Sequence, residues 1–209
     1  MTAGSNMLDM VYRDESLLVV NKPAGLLAVP GRGADKQDCL YARLLHEFPD
    51  ALVVHRLDMA TSGLMVFARS VEMQRRISRM FHDREVEKRY VAVVTGKLEP
   101  GAGEVDLPIA ADWPNRPMRK IDAEEGKRSL TRYRLLGHAA GNSRVELEPV
   151  TGRTHQLRIH MAAIGHSILG DALYGIAASA PRLLLHASSL SFVHPLSGEP
   201  LNFESAPPF

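Results

Sequence analysis

The chain has almost none of the features that mark exported or membrane proteins. Among its 209 residues Cys39 is the only cysteine, which excludes a disulfide within the chain and favours a reducing compartment. No apolar run approaches the roughly 18 residues that a membrane-spanning helix needs. Residues 1–6 have neither the basic nor the apolar stretch of a secretory signal. We therefore expect a cytoplasmic protein with no membrane attachment.

The chain also lacks the short motifs of several enzyme classes. It contains no Gly-x-Gly-x-x-Gly or Walker-type loop for a nucleotide, and no Gly-x-Ser-x-Gly for a serine nucleophile. The histidines form no metal-binding pattern, because His155 and His160 would lie about 140° apart on a helix. No Cys-x-x-Cys is present. We expect neither a metal nor an organic cofactor.

A strong excess of charge is absent as well, since the net charge is only +1. Two local surpluses stand out: residues 69–89 and residues 112–134 each carry seven Lys or Arg against four acids. Either surplus could line a cleft for a polyanion. Charge alone favours the plainer interpretation, a pair of solvated faces of mixed charge.

Hydrophobic alternation and β-branched runs predict a chain dominated by strands. We expect strands at residues 10–12, 17–20, 51–54, 64–68, 89–94, 130–136, 144–150, 183–187 and 190–193. Helices are expected near residues 38–47, at 71–85 and at 154–164, the last capped by Thr154 and stopped by Gly165. Residues 110–126 show no periodicity and are expected to form a functional loop.

This pattern predicts an α+β fold with a mixed or largely antiparallel sheet, because strands outnumber helices and hairpin spacings dominate. No repeat, linker or low-complexity tract divides the chain. We therefore expect residues 1–209 to form one compact domain or two closely packed halves.

The segment 55–63, HRLDMATSG, places a carboxylate beside an arginine between two strand-like runs. Strand alternation would put Arg56 and Asp58 on one face, where the cation could tune the ionisation of a catalytic carboxylate. In the alternative interpretation, Asp58 caps the following turn by accepting the amides of Ala60 or Thr61. The residues by themselves leave both roles open.

Three further side chains are candidates for function. Arg158 lies among apolar residues, so it needs a partner such as Asp58 if it is buried; otherwise it covers an apolar face from the surface. Tyr90 follows Lys88 and Arg89 and could stack on an extruded base, although a core aromatic is the commoner role. Trp113 could stack on RNA or anchor its loop.

Several segments, taken in order, resemble the signature of the RluA family of pseudouridine synthases, and they cover nearly the whole chain. They are 19–26 (VVNKPAGL), 55–63, 88–92 (KRYVA), 152–160 (GRTHQLRIH), 166–171 (HSILGD) and 183–187 (LLLHA).

The resemblance implies a single catalytic domain with the pseudouridine synthase fold: a bent mixed sheet of two packed halves, flanking helices and a central active-site cleft. It implies a catalytic Asp58, a Tyr90 that stacks on the target uracil and an Arg158 that pairs with Asp58. It leaves open whether Asp58 attacks C1′ of the ribose or takes a proton from C2′. RNA contacts are expected from His55, Arg56, Arg75, Arg76, Arg79, Lys88, Arg89, Trp113, Arg116, Arg153 and His155.

The resemblance also narrows the substrate. The chain has no room before Met10 for the S4-type RNA-binding domain that many members carry. The loop 112–117, DWPNRP, is similar to that of a dual-specificity member that acts on 23S rRNA (position 746) and on the tRNA anticodon stem-loop (position 32). A family member specific for another tRNA or rRNA uridine is the alternative. We expect a monomer.

Two other classes of function fit fewer of these residues. A non-catalytic RNA-binding module would have little reason to keep Asp58. A metal-dependent phosphoryl hydrolase could use Asp58 as nucleophile or ligand, but only one carboxylate of the motifs is well placed for that chemistry.

Overall fold

The structure is a computed structural model that describes residues 8–209. Residues 1–6, where the sequence shows no secretory signal, lie outside the described part. The chain forms two compact units. The first contains the described residues up to Glu87 together with Ser189–Ala206, and the second contains Lys88–Ser188 and Pro207–Phe209.

The first unit is built on a short antiparallel sheet. Its strands are β1 (Asp9–Arg13), β2 (Leu17–Lys22), β3 (Leu52–Val53) and β4 (Ser62–Ala68), joined later in the chain by the end of β11 (Leu185–Val193) and by β12 (Pro200–Glu204). Strand β2 pairs with β1 and β4, β3 pairs with β4, and β12 pairs with β11. All seven residues of β4 are buried, which explains their continuous apolar run.

Two helices accompany this sheet, α1 (Leu40–Glu47) and α2 (Val71–Asp83). The Ser70 hydroxyl caps α2 by accepting the Met73 amide at 3.2 Å, and Met73, Ile77 and Met80 form its buried face. The helix predicted at 71–85 is confirmed, but it ends two residues early because Arg84 adopts a left-handed conformation with φ 64°.

The second unit contains the longer strands. They are β5 (Glu87–Val94, of which Glu87 falls in the first unit), β6 (Ala102–Asp106), β7 (Ile109–Ala111), β8 (Arg119–Ile121), β9 (Leu130–Ala139) and β10 (Asn142–Pro149). Strands β5, β10, β9 and β6 are neighbours in that order and all antiparallel. Strands β7 and β8 form a separate hairpin. Helix α3 (Gln156–Ala163) packs against β8, β9 and β10.

The α+β class and the largely antiparallel pairing are thus confirmed. Four local expectations were wrong or incomplete. The stretch 110–126 is not structureless, because β7 and β8 pair within it. The strands predicted at 183–187 and 190–193 are one strand, β11, while β6 and β12 were not predicted. Thr154 does not cap α3, since His155 occupies that position.

No helix among residues 8–209 is long and apolar enough to cross a membrane.

Candidate active site

Asp58 lies in an irregular segment and not on a strand. Strand β3 ends at Val53, so the alternation used to place Arg56 and Asp58 on one face does not apply. Residues 58–61 form a turn in which the Thr61 amide donates to the main-chain carbonyl of Asp58 at 3.1 Å. The main chain of Asp58 therefore closes this turn, and the residue as a whole is partly buried, four positions before the fully buried strand β4 begins.

A buried lysine fixes the backbone next to Asp58. The Lys22 side chain is only 1 % exposed, and its ammonium donates to the carbonyls of Pro23 at 2.8 Å, Leu26 at 2.7 Å and Met59 at 3.1 Å. The Met59 carbonyl also accepts the Gly25 amide at 2.9 Å. Lys22 was quoted within a motif, but the sequence analysis gave it no role; a lysine inside an apolar strand is the signal that would have identified it.

His55 is held by the same unit. Its Nε2 accepts the Val66 amide at 2.9 Å, and its ring stacks on Phe81 with the centroids 4.5 Å apart. Because Nε2 is an acceptor, a neutral ring carries its proton on Nδ1. These contacts connect the segment before Asp58 to β4 and α2; a contact of His55 with RNA stays a prediction.

Arg158 is buried in the second unit, where its side chain is 5 % exposed. Its Nε and Nη2 donate to the two carboxylate oxygens of Asp171, at 2.8 and 2.7 Å. The alternative of a surface arginine is therefore wrong for Arg158. Sequence reasoning missed Asp171, although it closes the quoted segment HSILGD, and the expected pairing of Arg158 with Asp58 stays a prediction.

The Asp171 carboxylate is held in its ionised form. Burial alone would raise the pKa of Asp171, but hydrogen bonds and charge from Arg158 outweigh burial and keep that pKa below its usual range. The amides of Leu173 and Tyr174 also donate to Asp171 Oδ1, at 2.9 and 3.1 Å. The carboxylate is thus saturated with donors, and the ion pair has a fixed geometry.

A glycine makes the position of Asp171 possible. Gly170 has φ 74°, a left-handed conformation, and a Cβ atom there would collide with the carbonyl oxygen of Arg182. Only glycine can therefore occupy the residue before Asp171 without moving the 182–183 backbone.

Tyr174 connects Arg158 to the N-cap of its own helix, α3, and to strand β8. Its ring lies 5.3 Å from the Arg158 guanidinium, and its hydroxyl is 2.8 Å from His155 Nδ1. The same hydroxyl accepts the Arg119 amide of β8 at 2.8 Å. His155 itself has φ 58°, an uncommon conformation for a residue other than glycine. Strain of this kind is frequent at functional sites, and a contact of His155 with RNA stays a prediction.

Tyr90 lies on β5, where it pairs with Leu147 of β10 and is partly buried. Strand alternation puts Lys88 on the same face as Tyr90 and Arg89 on the opposite face. Arg89 forms an ion pair with Glu146 at 3.0 Å, so part of its charge is already neutralised within the protein.

The remaining candidates for RNA contact differ in how available their charge is. On α2, Arg76 forms an ion pair with Glu72 at 2.6 Å, and Arg79 forms one with Asp83 at 3.3 Å. Arg75 forms no ion pair with any residue from 8 to 209. At the tip of the β7–β8 hairpin, Trp113 is 66 % exposed and the Arg116 guanidinium lies 3.7 Å from its ring. Arg56 and Arg153 are exposed.

The described residues contain no group of three or more His, Cys, Asp or Glu side chains arranged to hold a metal ion. The first unit contains Asp58, and the second contains Tyr90 and the buried Arg158; their catalytic roles stay predictions.

Comparison with known proteins gives a consistent result. The family model described as RNA pseudouridylate synthase matches residues 16–163. The Dual-specificity RNA pseudouridine synthase RluA of Escherichia coli strain K12 is 48 % identical over 206 residues, covering 97 % of this chain and 94 % of that protein. The protein of the same name from Haemophilus influenzae is 47 % identical with the same coverage.

A solved structure agrees with these sequences. Human RNA Pseudouridylate Synthase Domain Containing 1 superposes with a TM-score of 0.82 at 31 % identity, covering all of this chain and 87 % of that one. The pseudouridine synthase fold that the motifs implied is therefore confirmed. The chain belongs to the RNA pseudouridylate synthase family.

Proposed function

We propose that this protein converts uridine to pseudouridine in two RNAs, a stem-loop of 23S rRNA and the anticodon stem-loop of tRNA. One observation carries the proposal: the match to the family model spans residues 16–163 and so includes Asp58, Tyr90 and Arg158 together. The proposal of two RNA substrates rests on similarity to the dual-specificity enzymes named above. The similar region covers almost the full length of this chain and of each of those enzymes.

The reaction rearranges bonds without adding or removing atoms. The N1–C1′ bond of uridine breaks, the base turns, and C5 forms the new bond to C1′. The hydrogen on C5 leaves as a proton, and N1 gains a proton. Glycoside hydrolases need two carboxylates, one of which activates water or forms an intermediate that water cleaves. Water is not a reactant here, so a second carboxylate is unnecessary.

We assign the chemistry to Asp58, as nucleophile at C1′ or as base at C2′. Arg158 would favour the ionised form of that carboxylate, because a guanidinium stabilises a nearby negative charge. Tyr90 would stack on the uracil once it leaves the helix, as aromatic residues do for extruded bases. The arginines and lysines of the candidate set would bind phosphates, and His55, Trp113 and His155 would contact the surrounding nucleotides.

We further propose that the whole chain acts as a single catalytic domain, as a monomer in the cytoplasm, without a metal or an organic cofactor. Activity that is unchanged by a chelator would support the last point.

The test uses RNA stem-loops labelled with tritium at C5 of uridine. Each turnover releases one tritium atom to the solvent, so release measures the new C5–C1′ bond directly. We expect wild-type protein to release tritium from both stem-loops and Asp58→Asn to release none above background. Asp38→Asn is the matched control, because Asp38 also lies beside an arginine, Arg43, but its side chain is exposed and Arg43 is not among the expected RNA contacts.

Equal release by wild type and Asp58→Asn would refute the catalytic assignment. Salt-sensitive RNA binding by a wild-type protein that releases no tritium would instead identify a non-catalytic RNA-binding module. Release from one stem-loop alone would refute the dual substrate while leaving the chemistry intact.

A further inference from the structure

The Tyr174 hydroxyl connects the β7–β8 hairpin to the start of helix α3. Its oxygen accepts the Arg119 amide of β8 at 2.8 Å and lies 2.8 Å from Nδ1 of His155, the N-cap residue of α3. An amide can only donate, so the hydroxyl accepts there and keeps its own hydrogen for His155 Nδ1. One oxygen atom therefore contacts both the hairpin and the helix.

Among residues 8–209, the Tyr174 contact is the only hydrogen bond that joins the hairpin to a residue beyond its own base. The other hydrogen bonds and ion pairs that residues 109–121 form within this part of the chain have partners between residues 108 and 127. The two strands have three residues each. A two-stranded hairpin is marginally stable by itself, so the orientation of this one depends on the contacts that hold it from outside.

Tyr174 is itself held by the ion pair of Arg158 and Asp171. Its amide donates to Asp171 Oδ1 at 3.1 Å, and its ring centroid lies 5.3 Å from the Arg158 guanidinium. Both partners of the ion pair are buried. Because the residue that holds the hairpin is anchored to this pair, the hairpin is placed with reference to Arg158.

The hairpin carries two candidate RNA contacts at its tip. Trp113 is 66 % exposed, and the Arg116 guanidinium lies 3.7 Å from its ring. An exposed aromatic ring binds RNA by stacking on a base, and this requires that the hairpin hold the ring within reach of the base. A hairpin that is already fixed in place also loses less conformational entropy when RNA binds.

We propose that Tyr174 is a positioning residue for RNA binding, whose hydroxyl fixes the β7–β8 hairpin, and with it Trp113, relative to Arg158. This inference rests on the function proposed above, because it concerns how the RNA of that reaction is held. The role acts through the Arg119 amide and requires no contact between Tyr174 and the RNA.

A tyrosine in the first unit provides a matched control. Tyr174→Phe removes the hydroxyl and keeps the ring beside Arg158. Tyr12 is also partly buried, and its hydroxyl donates to Asp14 Oδ2 at 2.8 Å within the first unit. Tyr12→Phe therefore removes the same chemical group and a hydrogen bond of the same length, but it leaves the link between hairpin and helix intact.

Amide hydrogen exchange measured by NMR tests whether the hydroxyl holds the hairpin. In the free wild-type protein the Arg119 amide should exchange slowly, because it is hydrogen-bonded. The amides of residues 109–121 should exchange faster in Tyr174→Phe and at the wild-type rate in Tyr12→Phe.

A double-mutant cycle tests whether the fixed hairpin matters for RNA binding. Trp113→Ala should raise the Kd for a tRNA anticodon stem-loop about 5- to 100-fold, the range expected for the loss of one base–aromatic stack. In the Tyr174→Phe protein the same substitution should raise Kd by a factor about threefold smaller or less, because a ring that is no longer fixed contributes less to binding. In the Tyr12→Phe protein the factor should equal the wild-type factor. A merely structural role of Tyr174 would lower stability without changing this factor.

Tritium release gives a second readout that separates binding from chemistry. Tyr174→Phe should raise KM and leave kcat near the wild-type value, because the ring stays beside Arg158. A lower kcat with an unchanged KM would contradict a role in RNA binding.

Equal Trp113→Ala factors in the wild-type and Tyr174→Phe proteins, or a wild-type Kd in Trp113→Ala itself, would overturn the inference. Fast exchange of the Arg119 amide in the wild-type protein would also overturn it, and this measurement does not depend on the folding of any variant. Affinity and exchange are measured without turnover. A wild-type protein that shows the expected coupling but releases no tritium would therefore refute the proposed activity and leave the role of Tyr174 standing.

Discussion

Replacing Asp171 by asparagine would test whether a buried ion pair supports the candidate active site. Asp171 is 1 % exposed and holds the Arg158 guanidinium through two hydrogen bonds of 2.8 and 2.7 Å. Asparagine has the same shape, but its NH₂ group would face an N–H donor of Arg158. One hydrogen bond is then lost, and the buried Arg158 loses the negative charge of Asp171.

The expected loss of stability is large. Removing one partner of a buried ion pair costs about 3–5 kcal/mol, a substantial part of the roughly 5–15 kcal/mol that stabilises a typical domain. At about 2–4 °C per kcal/mol for a chain of this size, the melting temperature of Asp171→Asn should fall by roughly 6–20 °C. Tritium release should fall as well, because Arg158 loses the group that orients it.

The pH dependence of this loss provides an independent check. The pKa of Asp171 lies below its ordinary value of 3.8, so the ion pair stabilises the fold fully above that value. As the pH falls through the lower pKa of the folded state, the stabilisation disappears. The difference in unfolding free energy between wild type and Asp171→Asn should therefore be constant near neutral pH and shrink in strong acid.

Urea unfolding followed by circular dichroism measures these differences, and the chain contains a matched control. Asp38 accepts two hydrogen bonds from Arg43 of the same lengths, 2.8 and 2.7 Å, but its side chain is 66 % exposed. Asp38→Asn should change the unfolding free energy little, because solvent screens an exposed pair. Equal losses in Asp171→Asn and Asp38→Asn would refute the argument that burial makes the Arg158 pair important.

Two further predictions concern the same unit. Gly170→Ala should destabilise the protein and lower tritium release, because the new Cβ would displace the Arg182 carbonyl and with it Asp171. Thermal melting and the release assay measure the two effects. Wild-type values in both assays would contradict the argument that the Arg182 carbonyl leaves no room for a Cβ at residue 170. Burial lowers the pKa of His160 below the ordinary histidine value of about 6.5, so the free energy of unfolding should fall as the pH drops below that value. In His160→Asn the free energy of unfolding should depend less on pH between neutral pH and roughly pH 5. Identical pH profiles for wild type and His160→Asn would contradict this.

Local patterns in the sequence were sufficient for much of the fold. The spacing of Met73, Ile77 and Met80 identified the buried face of α2, because helix periodicity depends on neighbours within one or two turns. The end of that helix could not be predicted, since the left-handed Arg84 interrupts a pattern that still looks helical. Strands β6 and β12 were missed for a related reason: they are short, and a single buried side chain in each gives little alternation.

The candidate site was predictable only where it is local. The turn after Asp58 could be predicted because it is encoded by adjacent residues, whereas the catalytic role of Asp58 stays a prediction. Asp171 lies thirteen residues beyond Arg158, and only the fold shows that the two side chains meet.

Helix α3 shows most clearly why the position of Arg158 depends on the whole second unit. Its residues from Gln156 to Met161 are all buried, so no polar stripe marks a solvent face. Gln156 donates to the Leu130 carbonyl and to the Thr131 hydroxyl, at 2.9 and 3.0 Å. The His160 ring also contacts β9, because its Nδ1 lies 2.9 Å from the Thr131 hydroxyl. The polar side chains of α3 therefore find their hydrogen-bond partners on other elements. Because the polar side chains on either side of Arg158 are fixed to β9, the guanidinium is oriented by the strands as well as by its carboxylate, and helix propensity alone could not place it.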